Sequence, residues 1–168
     1  ISPAVAGRWL WLTATQLQFE PKGEWPIGQR YRVELGKKAL AAHVELKQRT
    51  VEFGTTPFQA SISSTEFYQD PTQPGVRRVV VQLSFTHPVD AQSLESRVQL
   101  NDGISRKFSV AYDKFKLTAS LQSEPLPIPA ETQAMTVTIA KGVVAQRGGP
   151  GSQDEIVKSV DVPGLYSL

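Results

Sequence analysis

Apolar and polar side chains alternate with a period of two along much of this sequence, in short runs. Trp9 and Trp11 lie two residues apart, Leu17 and Phe19 repeat the spacing, and a run that contains Tyr31 repeats it again. Successive side chains of a β-strand point to opposite faces of the sheet. The alternation therefore predicts half-buried strands, each with one face in a core and the other in water.

Segments rich in proline and glycine separate these runs, for example residues 20–28, 70–75 and 147–151. Such residues are typical of turns, because proline fixes φ and glycine allows positive φ. Many short strands separated by turns predict an all-β fold with antiparallel sheets, arranged as an Ig-like β-sandwich or as a barrel, with minimal helix. In the second part of the chain, the predicted strands are 60–68, 77–85, 97–101, 107–112, 115–121, 134–140 and 156–162.

The strongest predicted strand is 77–85, in which Val79, Val81, Leu83 and Phe85 would share one face. Burying side chains of this kind stabilises a fold by about 1.5–3 kcal/mol each, so this strand should anchor the core.

Two segments depart from the β pattern. Asp90 is a suitable N-cap for one or two helical turns that would place Leu94 inward. Residues 36–47 favour one helical turn followed by extended chain.

A domain boundary is predicted at residues 54–57, where a glycine, two threonines and a proline follow one another. It divides the chain into a small, elongated, β-rich domain (1–55) and a larger seven-stranded β-sandwich (56–168). Three tryptophans fall in the first part, and we expect them to form its small core. Exposed tryptophans would instead indicate a protein interface or a sugar-stacking site. The predicted structural anchors are Trp9, Trp11, Phe19, Trp25, Tyr31, Val33, Val81, Leu83 and Phe85.

The residue types present leave little catalytic or metal chemistry. The chain has no cysteine, which excludes disulfides, a cysteine nucleophile and thiolate metal sites. His43 and His87 could each serve as a general base, but both are better explained as ordinary structural residues. The turn-forming sequence at 101–103 predicts a hairpin rather than a calcium loop. We expect no catalytic residue, no bound metal and no cofactor.

Partners and location are only weakly indicated by composition. A formal net charge of +2 argues against nucleic acid as a partner. No apolar run reaches the roughly 18–20 residues of a membrane span. The first residues lack an initiator methionine and a basic leader, so we expect the chain to be a piece of a longer protein.

Four segments, taken in order, resemble bacterial alpha-2-macroglobulins. They are GRWLW at 7–11, LQFEP at 17–21, WPIGQRYRVEL at 25–35 and VVVQLSFTHPVD at 79–90. The first three are similar to a stretch near the N-terminus of that family. The last is similar to the opening of a macroglobulin-like domain, which implies a macroglobulin-like fold for the predicted sandwich.

The resemblance implies a fragment of a protease inhibitor rather than an enzyme. In that family, an endopeptidase cleaves a bait region, the protein rearranges, and a reactive thioester captures the attacker in host defence. The resemblance also implies a periplasmic protein anchored to the inner membrane as a lipoprotein. The thioester and the lipid anchor each need a cysteine, and this chain has none. Both would lie outside this piece, whose partners would be neighbouring domains of the same chain and, through the full-length protein, endopeptidases.

Two other functions stay open from the residues alone. An Ig-like surface or adhesin module that binds a glycan or a protein would show exposed tryptophans. A small β-sandwich hydrolase would need His43 or His87 within about 3 Å of a nucleophile, and it is the least favoured of the three.

Overall fold

A computed structural model describes residues 1–36, 40 and 47–165. Most of the segment 36–47, including His43, lies outside the described residues, so its predicted conformation stays a prediction. The chain divides into two compact units, Ile1–Pro57 and Phe58–Leu168. The boundary predicted after residue 55 falls two residues before this division.

The described part of the first unit contains two antiparallel hairpins. Strand β1 (Gly7–Trp11) pairs with β2 (Leu17–Pro21), and β3 (Arg30–Glu34) pairs with β4 (Thr50–Gly54). Ser2 forms a backbone bridge to Arg32 on β3. The Thr55 hydroxyl accepts a hydrogen bond from the Gln29 backbone N–H at 2.9 Å and donates one to the Pro26 carbonyl at 2.6 Å, which ties the end of β4 to the turn before β3.

The second unit is an antiparallel β-sandwich. The strands are β5 (Ala60–Gln69), β6 (Arg77–Phe85), β7 (Val98–Asn101), β8 (Ser105–Arg106), β9 (Phe108–Tyr112), β10 (Thr118–Ser123), β11 (Gln133–Ile139) and β12 (Ile156–Val162). One sheet has the strand order β5-β6-β10-β9 and the other has β12-β11-β7-β8. Apart from the additional strand β8, this is the strand order of an immunoglobulin constant domain, in which the sheet of strands A, B, E and D faces the sheet of C, F and G.

This architecture confirms the predicted all-β, sandwich fold class. Among the described residues of the second unit there are eight strands rather than seven, because β8 adds a two-residue strand. The hairpin between β7 and β8 is held by an ion pair from Arg106 Nε to Asp102 Oδ1 at 2.9 Å. Two residues are too few to show a periodic pattern, which explains why the sequence did not reveal β8.

Strand β10 also begins three residues later than predicted, because residues 113–117 form a turn. The Asp113 carboxylate accepts hydrogen bonds from the backbone N–H groups of Phe115 and Thr118, at 2.9 and 2.7 Å. These bonds hold the pKa of the Asp113 carboxyl below its usual value. Lys116 adopts a positive φ of 53°, so the alternation of the strand cannot begin before Thr118.

The core of the second unit lies between the two sheets. On β6, Val79, Val81, Leu83 and Phe85 are all buried, as predicted. Phe58 stacks on Phe85 with ring centroids 6.1 Å apart. From the other strands, the fully buried side chains include Leu100, Leu121, Met135, Val137 and Ile139.

The predicted helical turn after residue 90 is present as α1 (Ala91–Glu95). The Asp90 side chain accepts a hydrogen bond from the Ser93 backbone N–H at 2.7 Å, which is the N-cap interaction. Leu94 is fully buried, as expected. Within the described residues, no helix is long and apolar enough to span a membrane.

Tyr112 on β9 is expected to make the fold sensitive to alkaline pH. Its hydroxyl donates a hydrogen bond to Glu95 Oε1 at 3.0 Å. Burial, together with this bond, raises the pKa of the Tyr112 phenol well above its usual value. The folded state therefore favours the neutral phenol. The contribution is present below pH of about 10, where the unfolded phenol titrates, and is lost as pH rises through the folded pKa.

We expect ultraviolet titration of the four tyrosines to show a step well above pH 10. That step should disappear in Tyr112→Phe and stay in the matched control Tyr68→Phe, whose side chain is exposed. A Tyr112→Phe titration identical to that of the wild type would show that the phenol is not stabilised in its neutral form.

Candidate functional site

The first unit buries far less apolar surface than the second. Among its described hydrophobic residues, Ile27 and Tyr31 are almost completely buried, with 7% and 3% exposure. A two-stranded hairpin in water is marginally stable, and it needs a further layer to cover its apolar face. The apolar surface of this unit is therefore a candidate for an interaction.

Five aromatic side chains of the first unit contact one another in series and form an aromatic cluster. Trp9 packs on Phe19 with centroids 5.0 Å apart, and Phe19 packs on Trp25 at 5.8 Å. Trp25 then meets Tyr31 at 5.0 Å and Phe53 at 5.3 Å, both edge to face. Trp25 is thus the residue that joins the aromatic side chains of hairpin β1–β2 to those of hairpin β3–β4.

Strand register explains why these rings meet. Trp9 pairs directly with Phe19, and Trp11 pairs with Leu17, so the alternation places all four on one face of the β1–β2 hairpin. Gly7 makes room for this packing. A Cβ at residue 7 would overlap the Phe19 ring, so only glycine lets the ring cross the backbone there.

Trp9 and Trp11 do not fill a core as expected. Their exposed fractions are 43% and 52%. The contacts of Trp9 with Phe19 cover one side of its ring, and a single hairpin layer leaves the other side open. This corrects the sequence expectation for both residues. We call Trp9, Trp11 and their cross-strand neighbour Leu17 the tryptophan patch.

The opposite face of the same hairpin is charged. Arg8 Nε and Glu20 Oε2 lie 2.6 Å apart, and both side chains are largely exposed. An exposed pair of this kind contributes little stability, because water and salt screen it. The β1–β2 hairpin therefore has one solvated charged face and one aromatic face.

The other predicted anchors take different positions. Phe19, Trp25 and Val33 are half-buried, and Tyr31 is buried. Val81, Leu83 and Phe85 lie in the core of the second unit. Sequence reasoning missed Phe53 and Gly7. The alternation of Val51 and Phe53 on β4 could have identified the first, whereas the role of Gly7 depends on knowing which ring lies against it.

His43 lies outside the described residues, and the other residues predicted as possible chemical groups lie within them. His87 lies half-buried in the loop after β6. Over the described ranges, no group of three or more histidine and acidic side chains could hold a metal ion. At the predicted hairpin turn, the Gly103 backbone N–H donates to Asn101 Oδ1 at 2.8 Å, and Gly103 has a φ of 105°. This confirms a turn at 101–103, as predicted.

Known proteins resemble the chain over its full length. It is 37% identical to the alpha-2-macroglobulin of Pasteurella multocida (strain Pm70), with all of the chain aligned. The chain is homologous to the alpha-2-macroglobulins. It is also 35% identical, again over its whole length, to an alpha-2-macroglobulin homolog of Yersinia pestis.

A more distant relative is the alpha-2-macroglobulin of Rickettsia conorii (strain ATCC VR-613 / Malish 7), 23% identical over 89% of the chain. The chain spans about a tenth of the length of the curated relatives it matches, with 10% and 9% for the two more similar proteins. No protein-family model matches the chain.

Proposed function

We propose that this chain is a non-catalytic, N-terminal scaffold segment of a bacterial alpha-2-macroglobulin, a protein that traps endopeptidases after they cleave a bait region. The observation that carries the proposal is identity of 35–37% to two alpha-2-macroglobulins across all of the chain. The sandwich topology and the aromatic hairpins are consistent with a structural role.

Under this proposal the trapping chemistry resides elsewhere in the full-length protein. Thioester capture requires a cysteine, and the chain contains none. The segment would act through its contacts with neighbouring domains, and it would meet target endopeptidases only as part of the whole protein. The proposed location is the periplasm, with attachment to the inner membrane through a lipid anchor outside this piece.

Endopeptidase assays with the full-length protein and with the 168-residue chain test the proposal. The full-length protein is expected to suppress digestion of a large protein substrate by trypsin or chymotrypsin. The isolated chain, added at the same molar ratio, is expected to leave digestion unchanged. Strong inhibition by the isolated chain would place the inhibitory chemistry in these residues, and a full-length protein without inhibitory activity would also contradict the proposal.

The exposure of Trp9 and Trp11 favours one second candidate, an Ig-like surface module that binds a glycan or a protein. Half-exposed indole rings can stack on sugars. Titration of the isolated chain with saccharides, followed by tryptophan fluorescence, tests this alternative. A saturable change that is lost in Trp11→Ala would support it, and unchanged emission at every saccharide concentration would count against glycan binding.

A further inference from the structure

We propose that the tryptophan patch is an intramolecular docking surface, covered in the full-length protein by an apolar surface of another domain of the same polypeptide. The inference rests on the proposed function, because it takes the chain to be part of a longer protein. It deepens that function by naming the surface through which the first unit joins the rest of the scaffold.

The patch exposes two neighbouring indole rings on one face of a hairpin. Trp9 is 43% exposed and Trp11 is 52% exposed, and they lie on one face of the β1–β2 hairpin. Two half-exposed indole side chains present on the order of 250 Å². Tryptophan is among the residues that most often anchor protein interfaces.

The patch is also held in place before any partner binds. The Leu12 backbone N–H donates to the Gln16 carbonyl at 2.9 Å and closes the hairpin beside Trp11. Trp9 is held by Phe19, which itself lies across Gly7. Because the hairpin backbone and the Trp9 ring are already ordered, they lose little conformational entropy on binding.

The size of the patch favours a tethered partner over a second copy of the chain. A stable complex between separate proteins buries about 800 Å² on each partner, roughly three times the area of the patch. Contacts between domains of one chain can be smaller, because the connecting polypeptide supplies a high effective concentration. The relatives are about ten times as long as this chain, so such domains are available in the family.

The charged face of the hairpin is unfavourable for docking of the partner domain. Arg8 and Glu20 are exposed there as an ion pair. Burying that pair would cost the hydration of both charges, whereas covering the tryptophans releases water from apolar surface. The docked domain is therefore expected on the tryptophan side.

Hydroxyl-radical footprinting read by mass spectrometry tests this inference on the wild-type protein. Oxidation of Trp9 and Trp11 is measured in the full-length protein and in the isolated chain, with an added reporter peptide to normalise the radical dose. We expect Trp11 to react at least about fivefold more slowly in the full-length protein. The half-buried Trp25 should change much less. Equal rates for Trp11 in the two samples would overturn the inference.

Two other outcomes would assign the patch to a different occupant and would also overturn the inference. Protection of Trp11 in the isolated chain that grows with protein concentration would indicate a second copy. Protection in the isolated chain that appears only when a saccharide is added would indicate a glycan.

A variant pair adds an independent readout in the full-length protein. Trp11→Gln is expected to speed oxidation of Trp9 several-fold, because removing the more exposed indole weakens docking. Phe115→Gln changes a side chain of similar exposure on the second unit and is expected to leave Trp9 unchanged. Equal effects of the two variants would contradict a specific docking surface.

Footprinting tests the docking surface, and endopeptidase inhibition tests the proposed function, so the two proposals can be rejected independently. If the wild-type full-length protein inhibits endopeptidases while Trp11 stays reactive, the docking surface is wrong and the proposed function stands. If Trp11 is protected in a protein that does not inhibit, the docking surface stands and protease trapping is wrong.

Discussion

Replacing Trp25 with alanine is expected to unfold the first unit and leave the second unit folded. Trp25 contacts Phe19, Tyr31 and Phe53, and it is the ring through which the aromatic side chains of the two hairpins meet. A Trp→Ala change at a packed site costs about 3–5 kcal/mol. A unit of this size rarely has more than about 3–5 kcal/mol in total, so the loss removes most of its stability.

Limited proteolysis with mass spectrometry measures this effect. Cleavage within residues 1–57 of Trp25→Ala should accelerate by at least about tenfold, whereas cleavage within residues 58–168 should match the wild type. Trp11→Ala is the matched control, since it removes the same side chain from a half-exposed position. Its effect on the isolated chain should stay within about 0.5 kcal/mol. Equal acceleration in the two variants would show that Trp25 is not the residue that holds the unit together.

Replacing Leu121 with alanine is expected to lower the stability of the second unit by about 2–5 kcal/mol. Leu121 lies in the middle of β10, between β6 and β9, and its side chain has no exposed surface. Removing it leaves a cavity that close-packed neighbours cannot fully close. In urea, the unfolding midpoint should fall by about 1–2 M, given typical slopes for a domain of this size.

Leu117→Ala is the control for this experiment. Leu117 lies one residue before β10, and its side chain is 38% exposed. The same chemical change there should shift the free energy of unfolding by no more than about 0.5 kcal/mol. A midpoint shift in Leu117→Ala as large as that in Leu121→Ala would contradict the core assignment of β10.

Much of the β structure could be predicted from local pattern. The alternation around Val79, Val81 and Leu83 identified a core strand, because every second side chain of a strand lies on the same face of the sheet. Asp90 was identified as an N-cap because a carboxylate can accept the free N–H groups of a first helical turn. These features depend on residues within a few positions of one another.

Other features show no apolar–polar alternation, so they could not be predicted in the same way. The start of β10 depends on the turn in which the Asp113 carboxylate binds backbone N–H groups, and the two-residue strand β8 is accompanied by an ion pair between Arg106 and Asp102 in the preceding turn. The exposure of Trp11 is different, because it depends on distant residues. Alternation places Trp11 on an apolar face, but the number of layers over that face decides whether the ring is buried.

Local residue patterns predicted most of the strands, most of the turns and the absence of thiol chemistry, and the relatives bear out the resemblance. Long-range packing sets how the strands of the second unit divide between two sheets, how Trp25 links two hairpins, and how far Trp9 and Trp11 are exposed. The two kinds of feature differ in the distance along the chain between the residues that produce them. Side-chain periodicity is a property of neighbouring residues, whereas burial depends on which distant surface covers a face.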